Sequence, residues 1–128
     1  MSPNNQDSNA LIYLVDDDPS VCKALTRLVS SIGLEIVSFN SAEDCLKVSQ
    51  WTRPHCLILD VHLPGMSGLE LQQHLQARLI QVPVIFITAH DDVPARDRAM
   101  RAGAIAYLHK PFEDSVLIDA IYAAIGSN

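Results

Sequence analysis

Cys56-Leu57-Ile58-Leu59-Asp60-Val61-His62-Leu63-Pro64-Gly65-Met66-Ser67-Gly68 is the stretch that decides the fold. A short apolar run ends in one acid, and a loop rich in Pro and Gly follows at once. Leu57 to Leu59 reads as a strand buried on both faces, as strands of a parallel sheet are. Asp60 stands at that strand's carboxyl end, where open α/β sheets place their chemistry. A carboxylate there is costly to desolvate unless something uses it. Taken alone, the stretch leaves open whether Asp60 is a cap or turn residue or a working acid.

Upstream, Leu11 to Val15 is a second apolar run, followed by Asp16, Asp17 and Asp18. Pro19 sits at a natural first helical position with Asp18 as N-cap. Val21, Leu25, Leu28, Val29 and Ile32 recur at helical spacing up to Gly33. Leu34 to Phe39 is a strand. Ser41-Ala42-Glu43-Asp44 resembles a capping box and opens a short helix to about Ser49. Trp51 to Pro54 is a connection, with Trp51 packed over it. Downstream, Ser67-Gly68-Leu69-Glu70 is another capping box, opening a helix through about Arg78. Val82 to Ile87 is a strand, with Pro83 near its start because it has no ladder donor. Thr88 follows it. Asp91 or Asp92 caps a helix that ends near Gly103, with Ala95, Ala99 and Ala102 as its inner face. Ile105 to Leu108 is a fifth strand, ending in His109, Lys110 and Pro111. Val116, Leu117, Ala120, Ile121, Ala124 and Ile125 stripe a last helix, closed by Gly126. Five strands alternating with five helices mean βαβ units: an α/β fold with a doubly wound parallel sheet covered on both faces.

The 128 residues, 48% of them hydrophobic, fit one globular domain over residues 10–128. The polar start, Met1 to Asn9, reads as a mobile tail and not as a signal or transit peptide. No apolar run approaches the ~18 residues of a membrane span. A net charge of -6 argues against direct nucleic-acid binding, because phosphate contacts need clustered Lys and Arg. Cys22, Cys45 and Cys56 lack metal-type spacing and read as reduced thiols of a cytoplasmic protein, mostly in the core.

Parallel strands bring their carboxyl ends to one edge, and Asp16, Asp17, Asp60, Thr88 and Lys110 all sit at such ends. Carboxylates gathered in one cleft repel each other unless a cation neutralises them. Hard oxygen ligands with open positions suit Mg²⁺, with Mn²⁺ as an alternative. A hydroxyl and an ammonium facing the acids complete a site for a transferred phosphoryl group. A carboxylate can itself be the nucleophile, giving an aspartyl phosphate. The bland alternative is a set of separate helix caps with Lys110 solvated. That accounts for Asp18 and Asp91, but poorly for acids and their partners at the ends of four strands.

These residues carry a family resemblance. Val15-Asp16-Asp17-Asp18, the run from Asp60 to Leu71, Thr88-Ala89 and Lys110-Pro111-Phe112 resemble the receiver domain of two-component response regulators. The match covers residues 10 to 126. Thr88 lies 28 residues beyond Asp60, and Lys110 lies 22 beyond Thr88. That spacing, with Lys110-Pro111-Phe112-Glu113-Asp114, looks most like FixJ-type receivers. The resemblance implies a flavodoxin-like (βα)5 sandwich with strand order 2-1-3-4-5. It implies that Asp60 accepts a phosphoryl group from a sensor histidine kinase. Asp17 would bind Mg²⁺ directly, Asp16 would help, and the backbone carbonyl of His62 would be a further ligand. Thr88 and Lys110 would each bind a phosphoryl oxygen. Tyr107 matches an aromatic switch position that turns inward when Thr88 moves, with Ala89 leaving room; the plain reading is an ordinary strand aromatic. A phosphorylation-dependent homodimer through the fourth helix, fifth strand and fifth helix is also implied.

His62 and His90 fall two residues after Asp60 and Thr88, positions that in the family flank the attacking water. As neutral rings they would crowd it; protonated, they would bond a phosphoryl oxygen; pointing to solvent, they would do nothing. His55, His74 and His109 read as surface residues. Two other classes compete. A haloacid-dehalogenase-type phosphatase needs Asp-x-Asp-x-Thr on its first strand, and Asp16-Asp17-Asp18-Pro19-Ser20 does not match it. A flavodoxin-like binding module needs a phosphate cradle after strand one, where three acids repel an anion. FixJ-type receivers usually precede a DNA-binding domain, so the chain reads as a stand-alone receiver or as part of a longer regulator.

Overall fold

The computed structural model describes residues 10–48, 51 and 54–126. The expected tail, residues 1–9, and Ser49, the expected end of the second helix, lie outside the described residues. In chain order the elements are β1 (Leu11–Val15), α1 (Pro19–Ser31), β2 (Glu35–Phe39), α2 (Ala42–Leu46) and β3 (Cys56–Asp60). There follow α3 (Gly68–Ala77), β4 (Val84–Thr88), α4 (Val93–Arg101), β5 (Ala106–His109) and α5 (Asp114–Gly126). The strands form one sheet of order β2-β1-β3-β4-β5, and every pairing is parallel.

The central strands explain the apolar runs. Every residue of β3 and β4 is buried, because helices cover both faces. Alternate strand residues feed two cores, as a period of two requires. Tyr13, Val15, Leu57, Leu59 and Phe86 meet Cys45, Leu71, Leu75 and Ala99 on the α2–α3–α4 side. Ile12, Leu14, Ile58, Ile85 and Ile87 meet Leu25, Val29, Leu117 and Ile121 on the α1–α5 side. Each buried aliphatic side chain contributes about 1.5–3 kcal/mol. Strand β2 is the outer neighbour of β1, and Val37 there is 44% exposed.

Several boundaries differ from the sequence expectation. Helix α2 stops at Leu46, with Lys47 as C-cap. Ser41 Oγ accepts the Asp44 N–H at 3.1 Å, while Asp44 Oδ1 accepts from Lys47 Nζ at 3.4 Å instead of closing a box. The full capping box forms at α3, between Ser67 and Glu70. Pro83 precedes β4, yet its carbonyl accepts from Leu57 N at 2.9 Å, a role that needs no N–H. Asp92, not Asp91, caps α4, with Oδ1 accepting from Ala95 N at 3.0 Å. Val116 was expected in the apolar stripe of α5 but is 43% exposed. Trp51 packs edge-on to Tyr13.

Cys45 and Cys56 are buried, and burial pushes both thiols up to about 12, so they are inert core residues. Among the described residues no helix is long and apolar enough to cross a membrane.

Candidate functional site

The topology places the ends of β1, β3, β4 and β5 along one edge, and the side chains there meet. Asp16 is 1% exposed and Asp60 is 7% exposed, while Asp17 faces solvent. Carboxylate oxygens of these three lie within 4.8 Å of one another. Asp16 Oδ1 accepts from Asp18 N at 2.9 Å, which fixes the turn out of β1. Asp18 itself caps α1 through Ser20 N. Asp60 Oδ1 accepts from His62 N at 3.1 Å.

Lys110 reaches in from the end of β5. Its Nζ donates to Asp16 Oδ2 at 2.8 Å and to Asp60 Oδ2 at 3.3 Å. Lys110 N donates to Thr88 O at 2.7 Å, tying the β5 exit to β4. The Lys110–Pro111 peptide is cis. Thr88 is fully buried; its Oγ1 accepts from His90 N at 3.0 Å and donates to His90 O at 3.4 Å.

The electrostatics follow from burial and proximity. Burial pushes the Asp60 carboxyl above the ordinary carboxylate range, and the Asp16 charge adds to this against the pull of Lys110. Burial works against the Lys110 charge, but the Asp16 hydrogen bond and the charges of Asp60 and Asp16 outweigh it, so its pKa is raised. Three carboxylates face one ammonium. This donor set, oxygens only and net negative, fits a hard divalent cation.

Gly68 is the closest support of the site. It starts α3, its N–H donates to Val61 O at 3.0 Å, and an added Cβ would run into the Asp60 carbonyl oxygen. Substituting Gly68→Ala should therefore push α3 off the end of β3, lowering stability by about 1–3 kcal/mol. A urea midpoint equal to wild type would show that the contact yields freely.

Residues 12–122 match the response regulator receiver domain. The chain belongs to that family. It is 46% identical over 117 residues to Nodulation protein W of Bradyrhizobium diazoefficiens, covering 91% of this chain and 52% of that protein. It is 44% identical over 119 residues to Response regulator protein TodT of Pseudomonas putida, covering 93% and 52%. The solved structure of FixJ-N superposes with a TM-score of 0.86 at 38% identity, covering 94% of this chain and 96% of that one. The chain spans about half the length of the curated relatives it matches. The FixJ-type resemblance and the expected strand order are met, and neither the phosphatase nor the flavodoxin-like reading finds support.

The receiver domain thus brings Asp16, Asp17, Asp60 and Lys110 together, with Thr88 beside them through the Lys110 backbone. His62 and His90 are both exposed, and their rings touch, with centroids 4.3 Å apart at 65°. His62 Nε2 lies 3.8 Å from Asp92 Oδ2. Tyr107 is half-buried, its ring 6.1 Å from Phe86 and its hydroxyl enclosed without a partner among the described residues.

Other contacts had no clear signal in the sequence. Glu43, on α2, accepts Met66 N at 2.9 Å through Oε2 and so holds the loop after β3; that bond keeps its carboxyl below the ordinary range. His55 is half-buried, not solvated, and its Nδ1 accepts from Leu11 N at 3.2 Å. Cys22 Sγ lies 3.2 Å from Asp16 O, and burial, then the Asp16 charge, raises its pKa. A cavity of about 480 Å³ opens beside Asp16 and Asp17, with Pro19, Cys22, Ser38 and Phe39 in its wall, and a separate cleft of about 670 Å³ sits among Gln76, Ile80, Pro83 and Gly103.

Proposed function

We propose that this receiver domain takes a phosphoryl group onto Asp60 from the phosphohistidine of a sensor histidine kinase, in a Mg²⁺-dependent reaction in the cytoplasm. It acts as a switch and turns over no substrate of its own beyond its own phosphorylation and dephosphorylation. The observation that carries the reading is Asp60 set between two other carboxylates and 3.3 Å from the Lys110 ammonium.

A carboxylate oxygen of Asp60 forms a bond to phosphorus as the P–N bond breaks and its electron pair returns to the imidazole. Asp16, Asp17, Asp60 and the His62 backbone carbonyl would hold Mg²⁺, or Mn²⁺ in its place. When bound there, such a cation would supply charge to offset the carboxylate repulsion and the charge gathering on the phosphoryl oxygens. Lys110, already within reach of Asp60, pairs with one of those oxygens. Thr88 Oγ1 leaves the His90 carbonyl for another, and Tyr107 follows it, re-shaping the α4–β5–α5 surface. Incubation with acetyl phosphate should add the mass of one phosphoryl group, and EDTA should prevent it. Equal uptake in EDTA would refute the metal requirement.

The two histidines tune the lifetime of the product. Water must reach phosphorus in line, and the touching rings of His62 and His90 narrow that approach. Decay of the phosphorylated protein should be at least about threefold faster in His62→Asn and in His90→Glu. Decay that is equal or slower in both folded variants would end this role.

Phosphorylation also promotes pairing of two copies through α4, β5 and α5. Helix α4 exposes Val93 and Met100 beside Asp97, Arg98 and Arg101. Sedimentation should show a monomer become a dimer on adding beryllofluoride, which mimics the phosphoryl group. A monomer in both states would contradict it.

A further inference from the structure

His62 and His90 hang from the two loops that flank the acid cluster, and Asp92 stands beside His62. All three are anchored. His62 N donates to Asp60 Oδ1 at 3.1 Å, and His90 N donates to Thr88 Oγ1 at 3.0 Å. Asp92 Oδ1 is committed to capping α4 through Ala95 N at 3.0 Å, which leaves Oδ2 turned toward His62 Nε2, 3.8 Å away. The rings of His62 and His90 already touch, with centroids 4.3 Å apart. The His62 and Asp92 side chains are 39% and 35% exposed, so an ion can enter without stranding a buried charge.

We propose that His62, His90 and Asp92 form a second cation site, for a borderline transition metal of the Zn²⁺ class. Two imidazoles and a carboxylate suit such an ion, whereas Mg²⁺ seeks oxygens alone. Ligand atoms about 2 Å from a tetrahedral ion lie about 3.3 Å apart. The 3.8 Å between His62 Nε2 and Asp92 Oδ2 is therefore within half an ångström of closure. His90, exposed, turns a ring nitrogen inward by side-chain rotation, and water completes the shell. The acid cluster uses the backbone carbonyl of His62 and this site uses its ring, so both can be filled together. An ion here ties the loop after β3 to the loop after β4 across the approach to Asp60. It should lengthen the life of the phosphoryl group, a consequence that rests on the function proposed above; the binding itself does not.

The test titrates Zn²⁺ into the untagged protein in saturating Mg²⁺, read by competition with a chromophoric chelator. One equivalent should bind, and it should still bind to Asp60→Asn, whose amide oxygen can accept the His62 N–H. His62→Ala and His90→Ala should each weaken it at least about tenfold. In the wild-type protein the ring resonances of His62 and His90 should shift, and those of His55, His74 and His109 should not. Zinc that is displaced by Mg²⁺, lost in Asp60→Asn, or bound without moving either ring overturns the site. With binding established, added Zn²⁺ that slows decay of the phosphorylated wild type but not of His90→Ala supports the link to lifetime, and decay that Zn²⁺ leaves unchanged or speeds in the wild type removes it.

Discussion

Asp60→Asn is expected to take up no phosphoryl group and, in Mg²⁺-free buffer at neutral pH, to be more stable than the wild type. The first effect is the loss of the proposed nucleophile. The second comes from the same geometry. Asp60 is nearly buried, and burial, then the Asp16 charge, raises its pKa. Its ionised form is thus disfavoured in the fold. A raised carboxyl favours folding below the ordinary carboxylate value, and that contribution is lost as pH rises through the raised folded value. Asparagine keeps an acceptor for His62 N and leaves Lys110 on Asp16, but removes the repelled charge. The gain should be on the order of 1 kcal/mol, absent in acid and opening as pH rises. Urea midpoints of both proteins from acid to neutral pH check it. A neutral-pH midpoint below wild type would mean that Lys110 more than offsets the repulsion.

Lys110→Ala should do the reverse to stability and nearly as much to function. Its ammonium is the cation shared by Asp16 and Asp60. Without it, two nearly buried carboxylates stand uncompensated, at a cost of about 2 kcal/mol, part of which Mg²⁺ restores. The protein still folds, because Lys110 belongs to neither core. The raised Lys110 pKa means that this contribution is present below the ordinary lysine value and is lost as pH rises through the raised folded one. Phosphorylation should slow on the order of a hundredfold, as when a charge-stabilising donor is removed. Full-rate phosphorylation with an unchanged midpoint would contradict both expectations.

The legible parts of this receiver domain were those that obey a period or a strand end. Cys56 to Asp60 and Val84 to Thr88 could be read because a strand covered on both faces is apolar throughout. Asp16, Asp60, Thr88 and Lys110 could be placed together because parallel strands align their carboxyl ends. The early end of α2 at Leu46 was not legible because nothing at Lys47 resembles a Gly stop. Contacts that join distant residues were not legible. Glu43 to Met66 and His55 to Leu11 depend on how loops fold back. Gly68 carries no positive φ to mark it; its role comes from lying against the Asp60 carbonyl. The family resemblance put His62 and His90 each beside the site but could not show their rings in contact, which is a matter of side-chain rotamers.

The phosphoryl group is proposed to ride on Asp60. An acyl phosphate is reduced by borohydride to an alcohol, so a phosphorylated aspartate becomes homoserine, while phosphohistidine and phosphoserine do not. Protein treated with acetyl phosphate and Mg²⁺, then borohydride, should be digested and sequenced by mass spectrometry. Homoserine is expected at position 60, with Asp16 and Asp17 intact. Homoserine at either of those positions, or phosphate retained on a residue that borohydride leaves unchanged, would contradict it.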